Sequence, residues 1–383
     1  MKNKRILSLL LALCCLLTVI PFGAVAAHAT EPEFTVNSTL APAQVNPLYE
    51  DIVDVSALEQ PVSLSPVKTY SSASYDPELY LSESEAAAEL RSAMVNREQS
   101  ITIHYATTDK NLVNSVNELF EAALLHTGNP VEGDYLRWVW NYRDETPINY
   151  WIDDNGISYV TVTYPITYYT DANQETEMDN AVATVLTQLN LNGESDYQKV
   201  YAIYHYITEN VRYDYENLDD DDHLLKYTAY AALVNKTAVC QGYAVLFYRL
   251  ALEVGVDSRV IFGSAYDGLH SWNIVKLGDS YYNLDATWDE GFPPAEYDYF
   301  LRSPSFFSEE HIRDEEYETS AFHKAYPMAT ADYKANGITI TSQPVNKTAT
   351  TGTKVTFNVV ATGDDLTYQW QYKSPSSSDW KDS

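Results

Sequence analysis

Three residues with complementary chemistry lie within one stretch of the chain: Cys240, His270 and Asp285. Cys240 opens a helical repeat in which Tyr243, Phe247, Leu250, Ala251 and Val254 recur on one face, and Gly255 follows as a C-terminal cap. A cysteine in the first turn of a helix sits at the positive end of its dipole, which favours thiolate over thiol. His270 begins an alternating run through Lys276, Leu277–Ser280 forms a turn, and Tyr281–Ala286 returns. With Gly278 and Asp279 in the turn, Trp272 stands opposite Asp285 and His270 opposite Thr287. His270 and Asp285 are then diagonal neighbours on one face, roughly 7–8 Å apart at the backbone, within reach of an imidazole and a carboxylate. The set has the parts of a nucleophile, a base and a group that orients the base. Each residue alone has a plain structural role open to it: an inert thiol, a strand histidine, a turn cap. Their coincidence in compatible positions favours the catalytic reading. His104, His126, His205, His311 and His323 lack such a context and read as ordinary histidines.

Three blocks carry a resemblance: Val239-Cys240-Gln241-Gly242-Tyr243-Ala244, Gly268-Leu269-His270-Ser271-Trp272-Asn273 and Tyr282-Asn283-Leu284-Asp285-Ala286-Thr287-Trp288-Asp289. In order and placement they resemble the transglutaminase-like superfamily, over about residues 196–300. The resemblance implies a papain-related α+β core in which Cys240 attacks an amide carbonyl and a thioester follows. His270 delivers a proton to the leaving amine, and Asp285 fixes the tautomer of His270. The backbone N–H of Cys240 is a candidate oxyanion donor, since helix N-termini have unsatisfied donors. The family often adds an upstream aromatic donor, for which Tyr213 is the candidate, with core packing as its plainer role. No metal or organic cofactor is implied. Water as acceptor makes a protease or amidase, and an amine makes a transamidase. Hydrolysis is the expectation, because residues 263–268 and 289–294 are short and mostly polar or small, with no apolar lid to exclude water. Protein crosslinking and a non-catalytic surface-binding role are the alternatives.

The elements around this constellation divide the chain of 383 residues. Lys2, Lys4 and Arg5 precede an apolar run from Ile6 to Ile20, and Ala27-His28-Ala29 offers a cleavage site, so residues 1–29 read as an export signal. Cys14 and Cys15 leave with it, and Cys240 remains as the single thiol. The formal charge of −30 becomes about −33 without the three positive residues of that segment, a surface that disfavours nucleic acid and anionic membranes. Residues 30–80 read as a leader or linker, 82–192 as a small α+β unit and 196–330 as the catalytic domain. The run Asp219–Asp222 lacks the spacing and the glycine of a metal loop and reads as a solvated acidic loop. Ile338–Ile340, Val355–Val359 and Tyr368–Tyr372 alternate as strands, with Trp370 a candidate core tryptophan, so 336–383 resembles the start of a bacterial immunoglobulin-like domain. The expected protein is secreted, acts on protein or peptide, does not insert into a membrane, and has room for cell-surface attachment through regions beyond Ser383.

Overall fold

The computed structural model describes residues 79–143, 146–266, 268–335, 339–350 and 352–362, with Gln44–Val45, 368, 370–372 and 381–382. The expected signal at 1–29 and nearly all of the expected linker lie outside these residues.

Helix α1 (Glu83–Val95) starts at Ser82, which caps the Glu85 N–H while the Glu85 carboxylate accepts from the Ser82 backbone. Strand β1 (Ser100–Thr107) buries Ile101, Ile103 and Tyr105 on one face, as alternation requires. Helix α2 (Leu112–Ala123) lays Val116, Leu119, Phe120 and Ala123 against the same core. Strands β2 (Trp140–Arg143), β3 (Ile148–Ile152) and β4 (Ser158–Tyr168) join the sheet, and Gln44–Val45 pairs along β2 as a fifth strand. β4 is central: β1 lies along one edge, and β3 and β2 follow one another along the other, all antiparallel. The β3–β4 turn falls at Asn155-Gly156, where Gly156 takes a φ of +79° and Asp153 accepts from the Asn155 and Ile157 N–H groups.

A second core follows. Helices α3 (Ala172–Leu189) and α4 (Asp196–Asn210) pack around helix α5 (Cys240–Glu253), and a four-stranded antiparallel sheet covers α5. The sheet order is β9 (Ser280–Leu284), β8 (Gly268–Leu277), β7 (Ser258–Ala265), β10 (Ile312–Arg313). Every residue of α5 from Gln241 to Leu252 is buried, so this is a central helix rather than a one-faced surface helix. The cores do not divide where the sequence suggested, at 192–196. Met178, Val182 and Val185 of α3 pack into the second core, as do Tyr135 and Trp138. An apolar helical face shows in sequence that it will be buried, but not against which partner.

Near the C-terminus, Thr339–Ser342 pairs with Val360–Thr362 and Gln371–Tyr372 with Lys381–Asp382. Val355 and Phe357 lie outside any strand and are exposed. Trp370, expected in a core, is 43% exposed, because two such short ribbons enclose no interior among the described residues.

Candidate active site

The position of Cys240 is built by a short parallel pair. Strand β5 (Arg212–Tyr213) pairs with β6 (Thr237–Ala238), and the chain passes through Val239 into α5. Val239 is extended and gives the helix no side-chain cap, so first-turn N–H groups remain for another acceptor. Cys240 is the first residue of the helix, a free thiol, and partly exposed. Two residues on, a Cβ at Gly242 would fall 2.6 Å from the Ala238 Cβ and 2.9 Å from the Thr228 carbonyl oxygen. Only glycine lets the helix start this close to its approach strand. Gln241 turns inward, its Nε2 donating to the Trp138 carbonyl at 3.1 Å. The far end of α5 closes as sequence predicts, with Gly255 at φ +79° donating to Leu252 and Val256 donating to Ala251.

The β8–β9 hairpin has the expected register: Leu277 pairs with Ser280 and Asn273 with Leu284. Asp285 follows the last residue of β9 and is pinned from both sides. Its backbone N–H donates to Tyr299, and its carbonyl accepts from the Tyr204 hydroxyl at 2.7 Å. Its Oδ2 lies 2.7 Å from His270 Nε2, and its Oδ1 accepts from the backbone of Thr287 at 2.9 Å and Trp288 at 3.4 Å. With Nε2 committed to Asp285, Nδ1 is the ring nitrogen His270 has left, and the interaction of His270 with the Cys240 thiol lowers the basicity of the thiol and raises that of the imidazole. Cys240, His270 and Asp285 are thus brought together.

Their electrostatics reinforce one another. Burial pushes the Cys240 thiol up, but hydrogen bonding to His270, the imidazolium charge and Ser271 outweigh it and hold the thiol below its ordinary value. Burial disfavours the His270 cation, yet the Asp285 charge and hydrogen bond raise it to about 10. Burial likewise opposes the Asp285 anion, and the two histidines beside it hold the carboxyl well below the usual range. The favoured state is a thiolate–imidazolium pair on a carboxylate.

The second of those histidines is a correction. His311, which sequence placed among the ordinary histidines, has its Nε2 3.2 Å from Asp285 Oδ2 and is fully enclosed. Its position comes from a two-residue strand after a loop, and nothing in the local spacing signals it. The nitrogens of His270 and His311 and the Asp285 oxygen lie within 4.8 Å of one another, the spacing of a metal set, but at 2.7 and 3.2 Å the contacts are those of hydrogen bonds. Tyr213 is half-buried beside Ala238, against the Tyr215 ring with centroids 4.9 Å apart. The acidic run wraps Lys226, whose Nζ donates to the carbonyls of Asn217, Leu218 and Asp220. The flanking segments also contribute more than their composition suggested. Tyr266 stacks on Trp288, and Trp288 stacks on His270, each with ring centroids 5.2 Å apart.

This fold and site define a class. Residues 183–286 match the family model described as Transglutaminase-like superfamily, and the chain carries a domain of that superfamily with its papain-related α+β fold. Among curated proteins, Kyphoscoliosis peptidase of Mus musculus is 27% identical over 176 residues, which is 37% of this chain and 26% of that protein. The Homo sapiens protein of the same name is 26% identical over 169 residues, 38% of this chain and 25% of that protein. The chain therefore spans about a quarter of the length of these relatives. A solved structure titled "Crystal structure of a TGase" aligns with a TM-score of 0.26 at 16% identity, over 58% of this chain and 57% of that one.

Proposed function

We propose that this protein is an exported cysteine-dependent acyl-transfer enzyme that hydrolyses amide bonds in proteins or peptides. One observation carries the reading: Cys240 at a helix start is electrostatically coupled to a histidine whose Nε2 is held 2.7 Å from a buried carboxylate. In this reading the Cys240 thiolate adds to the amide carbonyl, forming the S–C bond and moving an electron pair to oxygen. The Cys240 N–H, at the uncapped helix start, stabilises that oxyanion, an effect worth roughly 3 kcal/mol in such sites. Tyr213 is a second donor candidate by its place beside β6. Collapse breaks the C–N bond as His270 protonates the leaving amine, and a thioester remains. Water, deprotonated by His270, then releases the acid and returns the thiol. The name peptidase on the curated relatives supports hydrolysis over transfer. The aromatic stack of Tyr266 and Trp288 on His270 supports a second reading, transfer to a protein amine, because such a wall can shield a thioester from water. Incubation with a peptide library, with and without a labelled primary amine, separates them by product mass. Hydrolysis predicts free acids in both arms; amine incorporation that outpaces acid release refutes it, and no product in either arm refutes both.

A further inference from the structure

We propose that His311 is a positioning residue for the Cys240–His270 pair, donating its Nε2–H to the same Asp285 oxygen that His270 uses. The proposal rests on the catalytic reading above but adds a residue to it. Asp285 receives four donors: two backbone N–H groups on Oδ1 and two imidazoles on Oδ2. The tautomer of His311 follows from its surroundings. At 3.2 Å from a carboxylate oxygen, Nε2 must carry a hydrogen, since two lone pairs would otherwise face each other. Nδ1 is buried and has no partner among the described residues, so a hydrogen there would be an unsatisfied donor. His311 is therefore a neutral ring with its one hydrogen on the triad. Burial, which depresses its basicity, acts in the same direction.

The ring cannot swing away. Phe307 and Trp288 hold it at centroid distances of 4.3 Å, Trp272 lies at 4.9 Å, and its backbone N–H donates to the Phe307 carbonyl at 2.8 Å. The charged and titratable groups that face it are Asp285, His270, Glu310 and Tyr299, and Glu310 is itself engaged by the Tyr266 and Tyr299 hydroxyls. A second donor on Oδ2 fixes the carboxylate plane and draws charge from the oxygen that holds the His270 proton. His270 is left less basic than Asp285 alone would make it, so its proton is easier to release to a leaving amine.

The test is nuclear magnetic resonance of the full chain labelled with 15N-histidine, followed through a pH titration. Wild-type His311 is expected as a neutral Nε2–H ring. Loss of one hydrogen bond to the carboxylate in His311→Leu should raise the His270 midpoint by about one pH unit. His311→Gln, whose amide nitrogen reaches the same place, should restore it. A midpoint that stays put in the leucine variant, or moves equally in both variants, overturns the proposal. If the leucine variant does not fold, the wild-type tautomer decides, and an Nδ1–H ring overturns it. No substrate enters this measurement, so failure of the hydrolase reading would appear separately, in the peptide assay.

Discussion

Replacing Asp285 with asparagine keeps the shape of the side chain and removes its charge, which tests the electrostatic account directly. In the wild type, Oδ1 faces the Thr287 and Trp288 N–H groups and Oδ2 faces two imidazoles. An asparagine oxygen can serve only one side. If it stays with the backbone, its NH2 confronts His270 Nε2, and His270 must move its hydrogen to Nδ1, the nitrogen that should hold the proton taken from sulfur. The charge term is also large: at 2.7 Å and an effective dielectric constant near 20, the His270–Asp285 attraction is about 6 kcal/mol before desolvation is set against it. Allowing about half of that, or more, to survive gives 3–5 kcal/mol, or about 10²- to 10⁴-fold in kcat/KM. The assay has two arms, peptide turnover and the rate of Cys240 alkylation by iodoacetamide against pH. The wild-type thiol should alkylate at a pH below the ordinary thiol range, and Asp285→Asn should lose that early rise. A variant within about threefold of wild-type turnover, or with an unchanged alkylation profile, would refute the reasoning.

Other outcomes follow from the same geometry. Cys240→Ala should abolish turnover and leave the circular dichroism spectrum unchanged, because the thiol is partly exposed at a helix start. Wild-type kcat/KM should rise as Cys240 loses its proton, below the ordinary thiol range, and fall only as His270 loses its own, near pH 10; an alkaline limb near 7 would contradict this. Gly242→Ala should cost about 1–3 kcal/mol in denaturant unfolding, since the new Cβ would meet the Ala238 Cβ at 2.6 Å. Burial raises Asp289 to about 7, so the folded state binds its proton more tightly than the unfolded chain does. Its contribution to stability should be fully present below pH 4 and decline as pH rises to about 7, and Asp289→Asn should flatten that slope in urea titrations.

The parts of the site set by local pattern were legible in the sequence. A two-residue turn at Gly278-Asp279 dictates the hairpin register, and register dictates that His270 and Asp285 share a face. Cys240 announces its place because the apolar repeat of α5 begins beside it and Gly255 ends it. What was not legible depends on long-range packing. His311 arrives on Asp285 from 26 residues away, just before a two-residue strand too short to show alternation. Trp138, whose carbonyl holds Gln241 and whose ring lies 3.8 Å from that of Phe262, comes from the end of a four-residue helix just before β2, more than 100 residues earlier in the chain. The partner of α3 was hidden for the same reason: its face is plainly apolar, but tertiary packing chooses what covers it, here the second core.

Gly263 has a reach beyond its own strand. A Cβ there would lie 1.9 Å from the Ile312 carbonyl oxygen, so β10 lies flush against β7 only while position 263 has no side chain. The residue immediately before β10 is His311. Any larger residue at 263 would lift the strand and carry the second imidazole off the carboxylate. The two positions should therefore be inherited as a pair. Among proteins built on this plan, those that have lost the glycine should also have lost the histidine, and a survey of such sequences could recognise a four-residue site by a position that touches none of its reacting atoms.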